Sequence, residues 1–216
     1  MELITNTEYQ MNRSVNVVGW GGGAQTYIMK FMLREFNWKL NTLADKNSEK
    51  HCQYGLKKQY GLKNGIAETT NYIRLKKQTT FYVYSCPVKC IASHYRRAWH
   101  QLQKIKMTGV YEKLPSSLGE YENLVVSEKR DPFMLYHHFV GWSYCPNFYP
   151  IILEDLIQYK KELANHFELN VSHFDNIQIA KRNSKMSTNL KYNSFYEEIY
   201  DKIRKEAKQI LLEKIG

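Results

Sequence analysis

Hydrophobic and polar positions follow two different periods along the chain, and the places where the period changes predict strand-to-helix units. Ser14-Val15-Asn16-Val17-Val18 is a short β-branched run that enters a glycine cluster, Gly19-Trp20-Gly21-Gly22-Gly23. Ala24–Phe36 follows with apolar residues at 28, 29, 31, 32, 33 and 36, the spacing of a helix with one buried face. A second short strand is placed within Trp38–Leu43. The same order returns at Thr79–Tyr84, dense in aromatic and β-branched residues, which leads through Cys86-Pro87 into a helix from about Val88 to Lys104. Gly109–Ser127, with Pro115, Ser116, Ser117 and Gly119, reads as a mobile connection. Asp131-Pro132 predicts a helix to Tyr144 with Asp131 as its N-cap. Phe148–Leu153 is a third apolar strand, followed by an amphipathic helix over Glu154–Phe167. In the tail, Ser194 caps a helix in which Phe195, Ile199, Ile203, Ala207, Ile210 and Leu211 repeat at helical spacing. Strand-to-helix units in this order predict an α/β fold, a parallel sheet flanked by helices on both faces, in one domain over residues 1–216.

Composition narrows the class. Hydrophobic residues make up 43% of the 216 and aromatic ones 14%, including 17 Tyr, too much apolar and ring surface for a disordered chain. The uncharged apolar stretches fall short of the roughly 20 residues a bilayer span needs. Met1-Glu2-Leu3-Ile4-Thr5 carries neither the basic nor the apolar region of an export signal. The expectation is a soluble, unexported protein in the cytoplasm or another reducing intracellular compartment. Cys52, Cys86, Cys90 and Cys145 are accordingly read as free thiols, since Cys86-x-x-x-Cys90 lacks the spacing of a zinc knuckle and no metal site is assigned.

Charge changes the picture more. Thirteen Lys and Arg fall between Lys46 and Lys106 against Glu49 and Glu68, so this stretch carries +11 of a total of +10 and the rest nets −1. A basic excess confined to one third of the chain suggests a polyanionic partner, nucleic acid or a multiply phosphorylated small molecule, although a solvated basic surface gives the same count.

A strand that enters glycines and then a helix presents backbone N–H groups and a helix dipole to a phosphate. Gly21, Gly22, Gly23, Ala24, Gln25 and Thr26 form such a loop, with Thr26 adding a hydroxyl. It is not a Walker A, because no Lys stands beside Thr26, and its glycines do not fall at the positions of GxGxxG. Tyr27 and Trp99 read as core residues in preference to base-stacking ones.

The loop and the segments after it resemble the sulfotransferase superfamily. Thr26-Tyr27 stands where that family ends its first loop in Thr and an aromatic that stacks on adenine. Tyr82-Val83-Tyr84-Ser85-Cys86-Pro87, running into a helix with Ser93, is similar to the family's second signature, whose serine binds the 3′-phosphate. Tyr149-Pro150-Ile151-Ile152-Leu153-Glu154-Asp155-Leu156 resembles its later strand and Glu-Asp-Leu segment, and Lys181-Arg182-Asn183 its late basic loop. The resemblance implies a P-loop-like sheet and 3′-phosphoadenosine 5′-phosphosulfate as the phosphorylated nucleotide bound. It also implies transfer of a sulfuryl group to an acceptor, with Lys50 and His51 as the catalytic pair, Lys50 supplying charge and His51 the base. Two departures stand out. The family's loop lysine is absent, and Ser85 occupies the place of the second signature's arginine, for which Arg96 or Arg97 offers a substitute. Two other functions fit the same residues: a nucleic-acid-binding or assembly protein using the basic segment, and a nucleotide-binding domain that has lost its chemistry.

Overall fold

The computed structural model describes residues 14–21, 24–40, 58–59, 67–68, 78–178 and 187–216. Four parallel strands form its sheet in the order β2-β1-β5-β6: β1 is Ser14–Val18, β2 Lys39–Leu40, β5 Thr79–Val83 and β6 Phe148–Ile151. Two two-residue strands, β3 (Lys58–Gln59) and β4 (Ala67–Glu68), pair antiparallel. Val17 lies opposite Phe81, and Phe81 opposite Tyr149, so the three runs expected to be parallel strands do stand side by side with β5 in the middle.

Parallel strands need crossover connections, and the helices in those connections bury both sheet faces. Every residue of β6, and all but the first of β1 and β5, is buried, as a sheet covered by crossover helices requires. Side chains alternate between two cores. One holds Tyr82, Tyr84 and Phe148 against α2 (Pro87–Arg96), α4 (Leu118–Glu128) and α5 (Leu135–Ser143). The other holds Val15, Val17, Phe81, Val83 and Ile151 against α1 (Gln25–Phe36) and α7 (Lys160–Phe167). The terminal helix α8 (Leu190–Ile215) serves both, with Tyr192, Tyr196, Ile203 and Ala207 in the first core and Leu211 and Ile215 in the second. It packs on β6, the outer strand, where Pro150 costs no ladder bond.

Several expected boundaries are corrected. The helix over Val88–Lys104 is two helices, α2 and α3 (His100–Thr108), because Ala98 turns left-handed at φ 56°. The stretch Gly109–Ser127, read as a connection, contains most of α4. Its start is a capping box in which Ser117 accepts from the Glu120 N–H and Glu120 accepts from the Ser117 N–H. Asp131 is not an N-cap: α5 begins at Leu135, although the Asp131 carboxylate accepts from the N–H groups of Phe133 and Leu135. Glu154–Phe167 divides at Tyr159 into α6 (Leu153–Gln158) and α7. α8 starts before Ser194, with Asn189 accepting from the Tyr192 N–H. Cys86, Cys90 and Cys145 form no disulfide among the described residues, and Cys52 lies outside them.

Candidate functional site

The strand order creates the site. From β1 the chain passes through α1 to β2 on one side, whereas β5 lies on the other, so the direction of winding reverses between β1 and β5. In open parallel sheets the crevice outside the strand ends at such a reversal is where ligands bind. Two turns meet there: the glycine loop after β1, and Tyr84-Ser85-Cys86 after β5, which enters α2 with Pro87 in its first turn.

The loop is held against its neighbour by backbone packing. Gly19 has φ 147°, and a Cβ there would stand 2.0 Å from the Val83 carbonyl oxygen. One residue on, the Trp20 carbonyl accepts from His94 Nε2 at 3.3 Å and from Gln103 Nε2 at 3.4 Å. Gly21, at φ 76°, lies against those same side chains; an added Cβ would be 3.0 Å from each. Its lack of a side chain thus serves packing onto α2 and α3. The Trp20 indole is buried edge-on against Tyr82 and Tyr84.

Ala24 continues the turn in a left-handed conformation, φ 72°, and α1 begins at Gln25. The Gln25 side chain is buried beside Gly19. Thr26 is exposed in the first helical turn. Tyr27 is half-buried rather than core, and its hydroxyl accepts from the Gln178 N–H at 2.7 Å. That bond ties the first turn of α1 to the chain three residues before Lys181. Ser93 lies on α2 beside His94 and is 8% exposed.

The structure therefore brings Gly21 against His94 of α2, the helix that carries the buried Ser93, whereas Gln25, Thr26 and Tyr27 open α1, which packs into the other core. Gly22, Gly23, Lys50, His51, Lys181 and Arg182 lie outside the described residues. His94 and Gln103 are the site residues that sequence reasoning missed. His94 stood next to a residue already singled out, whereas nothing in the pattern marked Gln103. Asp155 of the Glu-Asp-Leu segment acts locally, accepting from the Ile152 N–H at 2.9 Å and closing the start of α6. Burial pushes its carboxyl up and does the same to the Tyr84 phenol, which the Asp155 charge raises further.

Among the described residues no group of three or more His, Cys, Asp or Glu could hold a metal ion, and no helix is long and apolar enough to cross a membrane. Compared with protein-family models, curated proteins and solved structures, the chain matches none of them.

Proposed function

We propose that the chain is a sulfotransferase-like domain that binds 3′-phosphoadenosine 5′-phosphosulfate and transfers its sulfuryl group to a nucleophilic acceptor. The observation that carries this reading is the meeting of the glycine loop and the β5–α2 turn at the reversal of strand order, where Gly19 rests on the Val83 carbonyl. The donors at hand suit a nucleotide phosphate: the N-terminal end of the twelve-residue α1, the exposed Thr26 hydroxyl and Ser93 on α2.

When bound, the nucleotide supplies an electrophilic sulfur whose bond to the 5′-phosphate breaks as the acceptor attacks. The chain's part is to hold and orient it. In this reading the first turn of α1 receives the 5′-phosphate and Tyr27 the adenine. Ser93 takes the 3′-phosphate together with Lys181 and Arg182, which follow the Gln178 anchor in sequence. Lys50 offsets charge developing on the transferred group, and His51 takes the proton that the acceptor loses.

Calorimetric titration with 3′-phosphoadenosine 5′-phosphate and with adenosine 5′-monophosphate tests the reading. The bisphosphate binds the unaltered protein, and Ser93→Ala weakens it by roughly 1–3 kcal/mol while barely changing the monophosphate. Arg182→Ala shows the same selectivity with a larger loss. Equal losses for both nucleotides, or no binding of either at millimolar concentration, would overturn it.

A further inference from the structure

The four tryptophans divide sharply. Trp20, Trp38 and Trp142 are 1%, 2% and 0% exposed, whereas Trp99, in the turn between α2 and α3, is 52% exposed. Its surroundings explain how so large an apolar ring is held in solvent. The Ala98 N–H donates to the Tyr95 carbonyl at 3.0 Å and the Trp99 N–H to the His94 carbonyl at 2.9 Å, with Ala98 left-handed between them. This pair of bonds is the Schellman closure of a helix, which fixes the backbone of the residue after the left-handed one. That residue commonly folds back onto the last helical turn; here the indole stands out instead. The Arg97 guanidinium covers one face of it, 5.3 Å from the ring centroid.

The segment that makes the turn carries charge of one sign, with Glu112 on Lys104 and Glu120 near Tyr95 as the carboxylates that neighbour it in space. Residues 78–106 contain no Asp or Glu, and their cations are Lys89, Arg96, Arg97, Lys104 and Lys106. Lys104 is buried and neutralised by Glu112 at 2.6 Å, but Arg96 and Arg97 are exposed. An exposed indole with the Arg97 guanidinium over one face, and a second exposed guanidinium on Arg96 in the same turn, offers a flat apolar face and anion-binding donors. A ligand complementary to both carries planar rings joined by anions. Single-stranded nucleic acid has that chemistry, since its bases are free to stack and phosphates flank each one. A duplex keeps its base faces covered, and a polysulfated sugar has charge but no aromatic ring.

We propose that the Arg96–Trp99 turn binds single-stranded nucleic acid, with Trp99 stacking on a base and Arg96 and Arg97 contacting the flanking phosphates. Arg96 and Arg97, which the sequence offered as a substitute for the signature arginine, stand exposed at the C-terminal end of α2, and the proposal does not rest on the nucleotide reading.

Tryptophan fluorescence gives a direct test, because three of the four indoles are shielded. Titrating the full chain with a deoxythymidine 15-mer at low salt quenches the emission of Trp99. Trp99→Leu, whose folding is checked by circular dichroism, abolishes the quench and weakens binding of a labelled 15-mer roughly 5- to 100-fold. Arg97→Gln weakens binding and lowers the slope of log K against log[salt] by about 0.7. The duplex of the same length and heparin bind more weakly than the single strand and quench less. Absence of binding, unchanged affinity in Trp99→Leu, or heparin or duplex binding as tight as the single strand would each overturn the proposal.

Discussion

The carbonyl oxygen of Val83 stands 2.0 Å from the position a Cβ on Gly19 would take, so the last residue of β5 and the first residue after β1 are joined by contact that only glycine permits. This contact joins the two turns at the reversal of strand order. Gly19→Ala must move backbone, because the obstacle is a carbonyl rather than a flexible side chain, and a loss of roughly 3 kcal/mol or more is expected. Gly21→Ala meets only the tips of His94 and Gln103, and its cost comes mainly from φ 76°, roughly 1–2 kcal/mol. Urea denaturation of both variants checks the order; a Gly21→Ala protein less stable than Gly19→Ala would contradict it.

Ala98 occupies a left-handed position, φ 56°, where helices usually end in glycine. Ala98→Gly removes a side-chain clash but adds freedom to the unfolded chain, leaving a net stabilisation of about 0.5–1 kcal/mol. The urea midpoint should rise with no change in slope, and a lower midpoint would mean that the turn is not strained.

Glu112 receives Arg130 and Lys104, in that order of effect, which together hold its carboxyl at about 2 against an ordinary 4.5. Because the folded value is the lower one, the stabilisation is complete above pH 4.5 and is lost as pH falls toward 2. Lys104 is only 1% exposed, so Glu112→Ala strands a buried ammonium and costs roughly 3 kcal/mol at pH 7. Lys104→Met leaves a half-buried carboxylate that keeps Arg130, and costs less. Melting curves at pH 7 and pH 3 should show the Glu112→Ala deficit shrinking at the lower pH; a deficit of constant size would place its origin elsewhere.

The Tyr196 hydroxyl donates to Asp131 at 2.8 Å and lies 2.6 Å from the Tyr121 hydroxyl, joining α8 to α4 and to the start of α5. Tyr196→Phe removes a bond to a carboxylate as well as the Tyr121 contact, a loss of roughly 1.5–3 kcal/mol. Tyr121→Phe keeps the carboxylate bond and should cost about 1 kcal/mol. Equal losses in the two variants, measured by thermal denaturation, would show that Asp131 gains nothing from Tyr196.

How far the sequence could be read depends on the range of the forces involved. Val15–Val18, Phe81–Val83 and Phe148–Ile151 were recognisable because a strand buried on both faces is an unbroken apolar run, and the helices after them because one buried face imposes a three- and four-residue repeat. The parallel sheet with helices on both faces follows from that alternation alone, as does the glycine loop opening onto α1. The break at Ala98 does not. Val88, Ile91, Tyr95 and Trp99 share one face of an uninterrupted helix, which is why Trp99 read as core. The left-handed turn rotates the indole off that face into solvent. That the three apolar runs are neighbouring parallel strands was legible, but that β5 takes the middle was not, since which helices fill each face decides it. The Tyr27–Gln178 bond spans 151 residues, and the placement of His94 and Gln103 on the Trp20 carbonyl spans 74 and 83. Periodicity describes what each segment must bury; only the packed tertiary structure decides which distant segment buries it, and that choice brought the two turns together.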